Sequence, residues 1–102
     1  MRMGYNITAE GQKATVAVRG HLYVEDVADM KARIFDEIAN GVVKFQFDLT
    51  DLNYIDSAGL GLLISIQKRV IPLGGRVTVT GAQGLVLEIF ELTRLDRVFF
   101  PR

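Results

Sequence analysis

Apolar and polar residues alternate most cleanly from Val43 to Leu49, where Val43, Phe45, Phe47 and Leu49 are separated by Lys44, Gln46 and Asp48. A period of two marks a strand with one dry face and one wet face. Ala14, Val16 and Val18 repeat it against Lys13, Thr15, Ala17 and Arg19, after a weaker alternation over residues 5–9 and the turn signal Glu10-Gly11-Gln12. Together these two stretches predict a hairpin, with Gly20 breaking its second strand. Val27, Met30, Ile34 and Ile38 then recur at helical spacing, with Phe35 widening the apolar face, up to a stop at Asn40-Gly41. After the central strand comes a short polar turn, then an apolar run to Val70-Ile71 that Pro72 and Gly74-Gly75 end. Asp56 or Ser57 is the natural N-cap of that second helix. Residues 75–80 alternate once more. Leu85, Val86, Ile89, Phe90 and Leu92 give a third helical period, and Val98-Phe99-Phe100 reads as a short closing strand.

Strands that alternate with helices after an opening hairpin imply right-handed crossovers and a mixed sheet, mostly parallel with an antiparallel edge. Parallel strands covered on both faces are usually continuous apolar runs, whereas three strands here keep a polar side. The expected α/β architecture therefore has its helices mainly on one face of the sheet and the other face in water. A chain of 102 residues is expected to form a single domain, residues 1–102, with one core.

Twelve basic residues balance 12 acidic ones, and no basic run is interleaved with aromatics, so a nucleic-acid surface is not expected. With no cysteine and a single histidine, His21, no His/Cys metal site can be assembled and no cofactor is called for. Residues 1–5 lack the apolar core of a signal peptide and no apolar run reaches membrane-spanning length, so the expectation is a cytoplasmic protein with no membrane insertion.

The chemistry concentrates where the central strand meets the second helix. Of the two serines, Ser57 and Ser65, only Ser57 stands at a helix start. It is either the cap itself or a hydroxyl presented at the positive end of the helix. A nucleophilic hydrolase would need Gly-x-Ser-x-Gly, and Ile55 stands where the first glycine belongs; its base would be His21, oriented by Asp48 or Asp51. Asp48, Asp51 and Asp56 are alternatively a carboxylate group for Mg²⁺, or separately a strand residue, a turn residue and a cap. Gly59-Leu60-Gly61 lacks the third glycine of a dinucleotide loop. At about 100° per residue, Leu60, Leu63, Ile64, Gln67, Val70 and Ile71 share the face expected on the sheet. Leu62 and Ile66 lie on the other side, where they either pack against a neighbouring helix or form an exposed strip beside Ser57.

Asp56-Ser57-Ala58-Gly59-Leu60, preceded by the strand ending Asp48-Leu49-Thr50, resembles the signature of the STAS domain, and more narrowly the free-standing anti-sigma factor antagonists of bacteria. The resemblance runs from the Gly20 turn to Leu92-Thr93-Arg94-Leu95-Asp96. It implies a mixed sheet with helices mainly on one side. It also implies a switch without catalysis of its own, in which Ser57 is the phosphoacceptor of an anti-sigma factor with serine kinase activity. A PP2C-type phosphatase would reverse the modification. Tyr54, Asp56, Ala58, Gly59, Leu62 and Ile66 are the expected docking residues, joined by His21 and Tyr23 from the loop after the second strand. A constitutive STAS scaffold, a nucleotide-binding regulatory domain and, from the motif fragment above, a small serine hydrolase are the alternatives. The chain departs from the family in two places. Gly20-His21-Leu22-Tyr23 stands where many antagonists carry Gly-Glu-Leu-Asp, and Arg94 stands where glycine is common.

Overall fold

The computed structural model describes residues 4–101. Its elements are β1 (Gly4–Glu10), β2 (Lys13–Leu22), α1 (Val24–Ala39), β3 (Lys44–Asp48), β4 (Leu52–Ile55), α2 (Ser57–Val70), a 3₁₀ turn over Ile71–Leu73, β5 (Arg76–Thr80), α3 (Gly84–Leu92) and α4 (Asp96–Phe99). The described strands form a five-stranded sheet in the order β1-β2-β3-β5, with β4 pairing the far end of β2. Only β1 and β2 are antiparallel; β2–β3, β3–β5 and β2–β4 run parallel. The mixed sheet with an antiparallel edge is as the alternation predicts.

Each alternating strand turns its apolar set inward. Ala14, Val16 and Val18 of β2, Phe45 and Phe47 of β3, and Val77 and Val79 of β5 are buried under Met30, Ile34 and Ile38 of α1 and Leu63, Ile66 and Val70 of α2. Burial of each such Leu, Ile, Phe or Met side chain is worth about 1.5–3 kcal/mol, so this one cluster dominates the stability of the fold. Between these residues lie Lys13, Thr15, Lys44, Gln46, Arg76 and Thr78, which face away from the helices and leave that side of the sheet polar. Gln67 of α2 is half-buried, and its Oε1 accepts from the Val77 backbone N–H at 2.7 Å, tying the helix to β5.

The structure corrects three sequence expectations. Gly20 does not end β2: it takes φ +81° at a register shift, and the strand continues through His21 and Leu22. A side chain is strained at that φ, and glycine lets the strand bend without stopping. The extended end pairs with β4, a strand formed within the short polar turn that the sequence predicts between the central strand and the second helix. Val98-Phe99-Phe100 is not a strand, since Asp96–Phe99 forms a helical turn that buries Phe99 and leaves Val98 exposed. Arg94 occupies the left-handed region at φ +61° after α3, the conformation its glycine-prone position demands.

Candidate functional site

The start of α2 is built by a chain of backbone ties. After β3, the Asp48 carboxylate accepts from the Thr50 N–H at 3.0 Å and from the Thr50 hydroxyl at 2.6 Å, closing an Asx-type turn. These two bonds hold the Asp48 carboxyl below its ordinary pKa. Gln83, just before α3, donates its Nε2 to the Thr50 carbonyl at 2.7 Å, and the Gly20 N–H donates to the Asp51 carbonyl at 3.1 Å. The loop thus delivers β4 against the end of β2, with His21 opposite Tyr54 and Leu22 opposite Ile55. Neither Thr50 nor Gln83 is singled out by the sequence; their partnership spans 33 residues and leaves no local pattern.

At the mouth of α2, Asp56 is the N-cap, and its Oδ1 accepts from the Gly59 N–H at 3.0 Å. Ser57 is the first residue of the helix and is exposed. That settles the choice left open by the sequence: the carboxylate caps, and the hydroxyl stands free of that role at the helix's positive end. Ala58 beside it is half-buried.

A second group assembles around the β2–β4 pair. The His21 Nδ1 and the Tyr23 hydroxyl are hydrogen-bonded at 2.7 Å. The rings of His21, Tyr23 and Tyr54 stand with centroids 5.5, 5.8 and 6.2 Å apart. Three residues expected near Ser57 on separate grounds are therefore one aromatic cluster, built from the end of β2, the N-cap of α1 and β4, the strand that leads into Asp56 and Ser57. Tyr23 is 37% and the adjoining Val24 62% exposed. Val24 is an apolar surface residue that helical periodicity gives no reason to select.

Leu62 and Ile66 do not belong to this surface. They are 2% and 0% exposed, buried in the one core cluster, where α2 packs against α1 as well as against the sheet. The helix is apolar on more than one stripe since it has two neighbours. Gly59 is also buried, and it is needed for packing rather than for access: a Cβ there would lie 2.6 Å from Ile55 Cγ1 and 3.0 Å from Leu22 Cδ2. Its lack of a side chain lets the first turn of α2 settle on the ends of β2 and β4. His21 is hydrogen-bonded to Tyr23 and not to Ser57, so the hydrolase arrangement is not formed. Asp48, Asp51 and Asp56 are not gathered either; among the described residues no three His, Cys, Asp or Glu side chains form a metal-holding group.

A family model described as "Mlab, STAS domain" matches residues 5–101. The chain belongs to the STAS domain family. Its similarity to named STAS proteins is substantial. The TM1081 homolog of Thermotoga neapolitana, named provisionally as an anti-sigma factor antagonist, is 33% identical over 78 residues, or 76% of this chain and 69% of its own. A crystal structure of a Thermotoga maritima protein given the same provisional name has a TM-score of 0.85 at 26% identity, covering 94% of this chain and 83% of that one. The anti-sigma factor antagonist SpoIIAA in its unphosphorylated form shares the fold, with a TM-score of 0.87 at 18% identity over 95% of this chain and 86% of that one. Within the STAS family, the chain thus sits by homology among the anti-sigma factor antagonists.

Proposed function

We propose that this STAS domain is a phosphorylation-switched anti-sigma factor antagonist. Unmodified, it binds an anti-sigma factor that is also a serine kinase; phosphorylated on Ser57 it releases that partner, and a PP2C-type phosphatase restores it. The domain itself catalyses nothing and works in the cytoplasm, as one unit over residues 1–102. The observation that carries the reading is the division of labour at the α2 start. Asp56 satisfies the helix, and Ser57 is exposed and available to a kinase.

Phosphate on Ser57 adds a charge of about −1.5 to −2 beside the Asp56 carboxylate, and the helix N-terminus stabilises it in place. The modification therefore acts on the surface a partner meets and leaves the core untouched. That surface consists of Ser57 with Tyr54, Asp56 and Ala58, flanked by His21, Tyr23 and Val24. Where many antagonists place two acids, this surface offers an imidazole and a phenol. The aromatic cluster favours a partner patch that is less cationic than one chosen by acids.

The test is titration of the cognate anti-sigma factor with Ser57→Ala and Ser57→Asp proteins, alongside ATP-dependent labelling of the unmodified chain. Binding at least tenfold weaker for Ser57→Asp than for Ser57→Ala, with label confined to Ser57, is the expected result. Equal affinities with no label would point to a constitutive scaffold that uses the same surface.

A further inference from the structure

The polar face of the sheet carries a charge arrangement that the switch does not use. Lys13, Lys44 and Arg76 are direct cross-strand partners on β2, β3 and β5, so three cations stand in one row across adjacent strands. Strands lie about 4.8 Å apart, and like charges directly opposite one another destabilise a sheet. Among the described residues none of the three side chains has an ion-pair partner. Glu10, opposite Lys13 on β1, makes no ion pair with it either. The next row, Thr15, Gln46 and Thr78, is neutral and hydrogen-bonding. The six side chains border a recess of about 220 Å³.

We propose that this recess binds a small multivalent anion of the phosphate class, held between Lys44 and Arg76 with Lys13 as the third cation. Inorganic pyrophosphate is the simplest member of the class. The charges select for size as well as sign. The cationic row is one residue deep. Beyond the neutral row a polyanion running along the strands meets Asp48, and one running across them toward β1 meets Glu10, while toward the other edge Arg97 borders the neighbouring recess with Arg76 and Thr78. A compact anion gains all three cations and avoids both carboxylates. Its centre falls on Lys44, the middle strand of the row, away from the Glu10 edge. The flexible stems of Lys44 and Arg76 bring their donors to one ligand, and Thr15 and Thr78 hydroxyls are available to its remaining oxygens. The site is independent of Ser57. It lies at the N-terminal ends of the parallel strands, whereas α2 starts beyond the C-terminal end of β2, about 30 Å away by strand length.

The experiment is thermal unfolding of the full chain with increasing pyrophosphate, against sodium chloride at matched ionic strength, for the unmodified protein, Lys44→Gln, Arg76→Gln and Lys68→Gln. Lys68 is an exposed lysine on α2 and serves as the control for loss of one positive charge. The expected result is a pyrophosphate-specific rise of several degrees in the unmodified chain and in Lys68→Gln, saturating with concentration. In Lys44→Gln that rise is lost and in Arg76→Gln it is reduced. Relief of like-charge repulsion should also give Lys44→Gln a slightly higher midpoint without ligand. A rise equalled by sodium chloride, or retained in Lys44→Gln, would overturn the proposal. So would sedimentation with phosphatidylglycerol vesicles that pyrophosphate does not compete, since the row would then be a membrane-facing surface.

Discussion

Asp56 and Ser57 are neighbours in the chain with separable roles, and their substitutions should separate them. Removing the cap with Asp56→Ala is expected to lower stability by about 1 kcal/mol. Ser57→Ala, which deletes an exposed hydroxyl outside the cap, should change it by less than about 0.5 kcal/mol. Urea denaturation measures both, and equal losses would return the capping role to the serine. Asp48 makes a pH prediction. The Thr50 bonds favour its ionised form and lower its pKa below 3.8 in the folded state. A depressed carboxyl stabilises the fold fully above its unfolded pKa, and that contribution is lost as pH falls from about 3.8 through the folded value. Thr50→Val should move the Asp48 pKa upward in a carbon-detected NMR titration and make the acid side of the stability curve less steep. Leu62 makes the opposite kind of test. As a core residue its truncation to alanine should cost about 2–5 kcal/mol. Leu62→Asp should unfold the domain, whereas a surface residue would tolerate either change.

At the scale of elements, the strands and helices with a sustained period were legible, and the misreadings share a cause. β2, β3, β5, α1 and α3 each bury one regular set of side chains and α2 adds a second to its own, so a periodic pattern survives in sequence. β4 has four residues and exists because the end of β2 continues past Gly20 to receive it. Its pairing is long-range and its alternation too short to register, and Gly20, which reads as a breaker, is the bend that makes the pairing possible. α4 is shorter than any periodic signal, so the β-prone run Val98-Phe99-Phe100 outweighed it. On α2, the wheel distinguished one inward stripe but could not show that α1 would cover a second, and Leu62 and Ile66 were therefore open to two readings. The end of α3 is where sequence and backbone meet most directly. Holding a non-glycine residue in the left-handed region costs about 1–2 kcal/mol, partly offset in a glycine by its greater entropy in the unfolded chain. Arg94→Gly should therefore raise stability by up to about 1 kcal/mol, and a lowered thermal midpoint would show that the Arg94 side chain contributes more than the strain costs.

Across the whole molecule, the sheet separates two surfaces that differ in chemistry. One end of β2 meets β4 and α2 and presents Ser57 beside an aromatic cluster; the other begins a row of cations on the open face. The position of Ser57 at a helix start was readable because the motif is contiguous. The gathering of His21, Tyr23 and Tyr54 depended on the register of a strand that the sequence did not reveal. Core burial of Gly59, Leu62 and Ile66 leaves the rim of α2 and the β2–β4 end for the proposed docking surface. In the proposed switch a partner confined to that rim would contact Ser57 closely, and one phosphate there would be enough to remove it.

Phosphorylation of Ser57 is the step on which the proposed switch turns, and it is read by intact-mass analysis with peptide mapping of the protein isolated from its own host, with Ser57→Ala beside it. The expected result is a species heavier by one phosphoryl group, mapped to Ser57 and absent from the variant. A chain that stays unmodified across growth and stress conditions, or one phosphorylated elsewhere with Ser57 untouched, would contradict it.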